Sequence, residues 1–231
     1  MPSVAVLRVF TDDEGNYGNP LAVFLDGSAI ATTERQAVAA DLGFSETVFV
    51  DRPATGALRI FTPATELPFA GHPLVGVAWL LFGTGVEIGA LWPPAGEVAC
   101  WQDDGRVWIR GAPEWAPPWS HLQLDDAVAV DLLERPPGGE DFVQAWAWQD
   151  EARGQVRARA FAPRIGIPQD EACGSASMLL CHQLGRPLRV RHGAGSVIDV
   201  RPGPRQMVEL GGRVVLQERQ SYRGRRTLAR Q

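Results

Sequence analysis

The chain has 231 residues and 25.1 kDa, 45% of them hydrophobic and 21% charged, with a net charge of −5. That composition belongs to a folded globular protein with room for one large or two small cores, and it sets aside disordered and fibrous classes. A net negative chain is a poor sequence-independent nucleic-acid surface. The longest apolar run, Leu74 to Phe82, is too short to span a membrane, and the start lacks the basic, cleavable pattern of a signal peptide. We therefore expect a cytoplasmic protein with no nucleic-acid or membrane partner. All 22 basic residues are arginine. Without a lysine amine, neither a pyridoxal aldimine nor other Schiff-base chemistry is available.

In chain order, Val4 to Phe10 and Leu21 to Leu25 read as strands joined by a turn that includes the Gly-Asn-Pro at Gly18 to Pro20. Thr33 opens a helix with Gln36 as its capping-box partner, and Gly43 closes it. The next strand, Phe44 to Val50, sets Glu46 into a row with Phe44, Val48 and Val50. If that row is buried, the Glu46 pKa rises and the group becomes a general acid/base near neutrality. If Ser45, Thr47 and Phe49 pack inward instead, Glu46 meets solvent; the two-residue period alone allows either.

Arg59 to Thr62 reads as a strand, followed by FTPATELPFAGHPLVG from Phe61 to Gly76, the entry to a helix that runs to Phe82. Pro73 suits its first turn and places His72 at the N-cap. Strands around Val86 to Ile88, Val98 to Trp101 and Val107 to Ile109 come next. The segment Ala112 to Trp119, APEWAPPW, is too rich in proline to continue a sheet and marks a domain boundary, giving domains 1–112 and 113–231. Its two tryptophans are expected over an exposed edge or the surface between domains.

The second half repeats the order. Asp125 or Asp126 caps a helix to about Glu134, and Phe142 to Trp148 and Val156 to Phe161 read as strands. FAPRIGIPQDEACGSAS from Phe161 to Ser177 then enters a second apolar helix that runs to Leu184. Aligning Gly71 with Gly174 sets Ser175, a good capping residue, opposite His72. Two such helix starts present free N–H groups and positive dipole ends suited to an anion. Asp170 stands just before the second one, and Cys173 at its start, where the dipole can lower a thiol pKa, although a dipole-stabilised, unreactive cysteine is the commoner outcome. No counterpart of Glu46 is evident in this half. A strand interrupted at Gly193 and Gly195 implies a bulge or a close backbone approach, and a hairpin closes the chain near Met207 to Leu216. The arginine-rich tail 219–231 reads as solvated. Cys100, Cys173 and Cys181, with scattered His72, His121, His182 and His192, give neither a disulfide framework nor metal-ligand spacing, so no cofactor or metal is expected.

In order along the chain, GNPLAVF, FSETVFV, the FTPATELPFAGHPLVG block and the FAP…DEACGSAS block resemble the phenazine-biosynthesis PhzF-like proteins, relatives of diaminopimelate epimerase. The resemblance implies an α+β fold of two pseudo-symmetric domains, each a β-barrel-like sheet wrapped around a central helix, with a site in the cleft. It implies a cofactor-independent isomerase that shifts a proton on a small carboxylate-bearing metabolite, and a second copy of the chain as a possible partner in a homodimer. Glu46, His72 and Asp170 match the family's polar site residues as catalytic candidates. Gly71, Gly174, Ser175 and Cys173 are the substrate-binding candidates. The family's usual Asp-Pro-x-Thr-Gly-Ser reads here Asp170-Glu171-Ala172-Cys173-Gly174-Ser175. The Cys is that of the epimerase's Ala-Cys-Gly motif, but its counterpart in the first half is Ala70, so a two-thiol epimerase is not available. A one-thiol epimerase and a non-catalytic binding protein on the same fold are the alternatives.

Overall fold

The computed structural model describes residues 1–139, 141–163 and 167–224. The first half runs β1 (Ser3–Thr11), β2 (Tyr17–Phe24), α1 (Arg35–Leu42), β3 (Glu46–Arg52), β4 (Ala57–Phe61), β5 (Glu66–Leu67), α2 (Gly71–Phe82), β6 (Ala90–Leu91), β7 (Val98–Asp103) and β8 (Arg106–Gly111). The second runs β9 (Ser120–Gln123), α3 (Ala127–Asp131), β10 (Val143–Asp150), β11 (Gln155–Ala162), β12 (Ile167–Asp170), α4 (Gly174–Leu184), β13 (Leu188–His192), β14 (Ser196–Pro202) and β15 (Val208–Ser221).

The duplication is plain in the pairing. In the first half β2 runs parallel to β3, β3 antiparallel to β4 and β4 antiparallel to β5, after which the chain enters α2. In the second, β9 runs parallel to β10, β10 antiparallel to β11 and β11 antiparallel to β12, before α4. Each of these two helices is apolar on nearly every side and is wrapped by strands, as a helix hydrophobic all round must be. Leu74, Val75, Val77, Ala78 and Leu81 of α2, with Met178, Leu180 and Cys181 of α4, belong to one continuous core. A smaller layer joins Phe24 and Phe49 to Val38 and Ala39 of α1 on the opposite face of the first sheet. Both faces of β3 are therefore covered, with Thr47 and Phe49 fully buried on one side and Val48 and Val50 on the other.

Several expected elements differ. Gly43 does close α1 in the left-handed conformation, but the Thr33–Gln36 capping box does not form, and the Gln36 amide donates to the Thr62 carbonyl instead (2.9 Å). Residues 86–88 are not a strand, while the short β9 and β12 were not foreseen. Gly193 and Gly195 sit in the turn of a hairpin between β13 and β14, not in a bulge. Glu171 braces that turn by accepting from the Ala194 N–H and the Ser196 hydroxyl. The hairpin expected at Met207 to Leu216 turns earlier, at 203–207 between β14 and β15, and residues 208–216 run on as strand. That segment opens β15, whose first part pairs with β14 and β8 and whose remainder pairs with β1 out to Ser3↔Ser221. Arg219 is thus in a strand, whereas Arg225, Arg226 and Arg230 of the expected basic tail lie outside the described residues. No helix among the described residues is long and apolar enough to cross a membrane.

Leu210 of β15 sits against both central helix starts. A Cβ added to Gly71 would fall 2.5 Å from Leu210 Cδ2 and 3.4 Å from Gly174 Cα. Gly71→Ala is expected to lower stability by about 1–3 kcal/mol through overpacking. Adding Leu210→Ala should cost less than the two single losses together, because it clears the space the new methyl needs. Denaturant midpoints of the three variants check this, and strict additivity would contradict the contact.

Candidate active site

The starts of α2 and α4 meet at the floor of one cavity of about 660 Å³. Among its lining residues are Glu46, Gly71, His72, Asp170, Cys173, Gly174 and Ser175, so every sequence-nominated site residue is brought together. The helix registers differ from expectation by two residues. Ala70 and Cys173, both extended, are the N-caps, neither giving a side-chain cap, and Gly71/His72 and Gly174/Ser175 fill the first two helical positions. Pro73 then falls at the third, where its missing N–H still costs nothing. The glycines are required here by Leu210: a Cβ on Gly71 or Gly174 would fall 2.5 or 3.0 Å from its Cδ2, while the two backbones face each other at ordinary contact distance. His72 and Ser175 thereby become side chains of the first turn rather than caps.

Glu46 opens β3, and its side chain is buried. Its Oε2 lies 3.3 Å from Nε2 of His72, and neither atom has an aligned hydrogen-bond partner among the described residues. Desolvation pushes the Glu46 carboxyl up to about 7, with a hydrogen bond from Ser45 opposing. Desolvation also takes His72 down to about 4, against the pull of the Asp170 charge. At neutral pH the contact is therefore between a neutral imidazole and a carboxyl near its midpoint, a place where a proton is exchanged at little cost.

Asp170 ends β12 with part of its surface open to the cavity. Desolvation raises its pKa first, and the Glu46 charge adds to this; His72 and hydrogen bonds from Ala172 and Cys173 oppose. Sequence reasoning missed its main partner. Asn19 is buried in β2, and its Nδ2 donates to Asp170 Oδ1 (2.8 Å) while its Oδ1 accepts from the Ser45 hydroxyl (3.4 Å). The Gly-Asn-Pro had been assigned to a turn; it lies inside β2. The Cys173 pKa is not lowered at the helix start either. Burial pushes this thiol well above its ordinary value, and the charge of Asp170 pushes it further.

The walls are aromatic. Trp115 lies against Phe69 (5.7 Å between rings) and Trp119 against Phe142 (5.3 Å), all four lining the cavity. The Pro-rich segment therefore lays its two tryptophans over the site. Register gives Phe142 a further meaning. Thr47 pairs with Phe61 and Val143 with Phe161, the two Phe-x-Pro phenylalanines, so the residue preceding each, Glu46 and Phe142, is equivalent in the duplication. Where one half puts a carboxylate the other puts a phenyl ring. Among the described residues no cluster of three or more His, Cys, Asp or Glu is arranged to hold a metal.

Residues 7–103 match the family model for phenazine biosynthesis-like proteins, PhzC-PhzF. A trans-2,3-dihydro-3-hydroxyanthranilate isomerase of Pseudomonas chlororaphis is 48% identical over 216 residues, covering 76% of this chain and 77% of that protein. The chain belongs to the PhzC-PhzF family. A PhzF-family structure from Enterococcus faecalis superposes with a TM-score of 0.76 at 21% identity, covering 96% of this chain and 99% of its own. An epimerase predicted in Pseudomonas aeruginosa gives a TM-score of 0.69 at 24% identity, with 97% and 100% covered. The fold is thus the diaminopimelate epimerase-like one, and this PhzF-family chain is an isomerase.

The buried pair leaves a signature in stability. Between pH 4.5 and about 7 the folded chain keeps a proton on Glu46 that the unfolded chain has lost, so this contribution to stability falls as pH rises. Between about 4 and 6.5 the unfolded chain binds a proton that folded His72 refuses, so that contribution grows with pH. The two slopes oppose each other. Glu46→Gln removes the falling one: the variant should be more stable than wild type above pH 7 and should gain stability more steeply from pH 4.5 to 6.5. Urea midpoints at fixed pH measure this, and superimposable profiles would contradict the buried carboxyl.

Proposed function

We propose that this PhzF-family chain catalyses a cofactor-independent proton shift on a small carboxylate-bearing substrate held in the cleft between its two halves. The observation that carries the reading is the contact between Glu46 and His72: two buried, unpaired ionisable atoms 3.3 Å apart at the mouth of paired helix starts. Glu46 removes a proton from carbon and returns it at another carbon of the same molecule. Neutral His72 orients Glu46 and relays, and Asp170, held by Asn19, is the second proton-bearing group on the same floor. The N–H groups of Gly71, His72, Gly174 and Ser175 receive the substrate carboxylate and the charge that develops as the proton leaves. Cys173, with its thiol kept protonated by burial, serves as wall rather than base. The two halves are read as domains that meet at residues 112–113.

Substrate class follows from the lining. No arginine borders this cavity among the described residues; its only charged members are Glu46 and Asp170. A bound carboxylate there adds a third acid, so binding must be accompanied by proton uptake on Glu46 or Asp170. The relative's named substrate, trans-2,3-dihydro-3-hydroxyanthranilate, carries a carboxylate on a ring and is the first molecule to try.

With such a substrate in deuterated water, wild type should place deuterium on carbon. Glu46→Gln keeps shape but cannot accept a proton, so turnover should fall by about 10² to 10⁴ with binding little changed, while Cys173→Ser remains close to wild type. kcat/KM should rise as Glu46 ionises through about pH 7 and fall again at higher pH, where the proton that substrate binding takes up is no longer available. Active Glu46→Gln with inactive Cys173→Ser would transfer the chemistry to the thiol. In the absence of turnover, carboxylate ligands should bind more tightly at pH 6 than at pH 8, and calorimetry in buffers of different ionisation enthalpy should show the proton taken up.

A further inference from the structure

We propose that Trp119 is a positioning and specificity-determining residue of this site: its indole N–H fixes the Ser175 hydroxyl as a donor toward the bound carboxylate, and its ring, backed by Phe142, selects a flat apolar body behind that carboxylate. The inference rests on the anion-binding reading above and extends it to a residue outside the matched motifs.

Trp119 Nε1 lies 3.0 Å from Ser175 Oγ. An indole nitrogen only donates, so Ser175 must accept in this bond. A hydroxyl has one proton to give, and with this lone pair engaged that proton is left to point at Cys173 Sγ, 3.6 Å away, or into the cavity. An incoming anion is by far the better acceptor, because hydrogen bonds to a charged group are about twice as strong as neutral ones. Trp119 thus pre-sets Ser175 beside the backbone donors of the two helix starts, in a cavity where no described residue supplies a cation.

The ring is itself held. Trp119 packs on the small cluster of Ala160, Cys173 and Ala176 and meets Phe142 edge-on at 82°. Phe142 adopts a left-handed backbone (φ 55°), which is uncommon for an aromatic residue, and it stands where the duplication places Glu46 in the other half. Its carbonyl accepts from the Ser120 N–H (2.8 Å), tying the two aromatic residues together at the backbone. A flat apolar face set at a fixed distance from a carboxylate clamp recognises planar carboxylates over small aliphatic ones.

Calorimetric titration of the full chain with benzoate, benzamide and acetate tests this. Trp119→Phe, which keeps a ring but loses the N–H, should weaken benzoate about tenfold and leave neutral benzamide unchanged. Ser175→Ala should show the same loss, and the double variant should be no worse than Ser175→Ala alone. Trp119→Leu should in addition abolish the preference for benzoate over acetate. Equal benzoate affinity in wild type and Trp119→Phe would overturn the proposal, as would losses that add in the double variant or a parallel loss for benzamide. Wild type that binds neither benzoate nor acetate would overturn the anion site itself and this inference with it. Normal carboxylate binding with an inactive Glu46→Gln would leave both standing.

Discussion

The starts of α2 and α4 meet against Leu210 at one crowded point, where a Cβ added to Gly71 would fall 2.5 Å from Leu210 Cδ2 and one added to Gly174 3.0 Å from the same atom. Two helix N-termini that point at one place set two positive dipole ends against each other. Such an arrangement is unfavourable until negative charge lies between them. Glu46 and Asp170 line that spot, and burial raises the pKa of both, which lessens the negative charge they set against the two dipoles.

Duplication has been used unevenly. The strand pairing of the two halves is the same, but the equivalent places hold Glu46 and Phe142, His72 and Ser175, Ala70 and Cys173. The first half contributes Glu46 and His72, while the second contributes Asp170, Cys173, Ser175 and the ring pair Trp119 and Phe142. A symmetric pair of bases is absent by substitution rather than by loss of the element. His72 lies beside Glu46 of its own half and feels the Asp170 charge of the other, yet desolvation outweighs that pull and takes it down to about 4.

Much of this was legible from the residues. The repeated Phe-x-Pro to glycine to apolar helix pattern locates both central helices and the glycines that must touch. The two-residue period at Phe44 to Val50 leaves the direction of Glu46 open, because both faces of β3 are buried and no pattern of alternation can rank two apolar faces. Cap positions were misplaced since a histidine or serine before an apolar run resembles an N-cap, whereas backbone contact between the glycines starts each helix earlier. Asn19 was hidden by its neighbours: Gly and Pro on either side look like a turn, and its role depends on a partner 151 positions away. Trp119 and Phe142 likewise become site residues only through long-range packing.

Strand β15 gives the architecture a temporal consequence. It pairs with β1, β8 and β14 and carries Leu210 to the junction of the two helix starts, so the cleft has no closed floor until residues 208–221 are in place. During synthesis the first half can form its own strands and bury α2, but its edge at β1 stays unpaired while everything after it is made. Glu46 and His72 of the first half therefore wait on the last strand for their enclosure. A nascent chain stalled before Val208 should expose that edge to chaperones, and catalytic competence should arrive in one late step rather than grow with chain length.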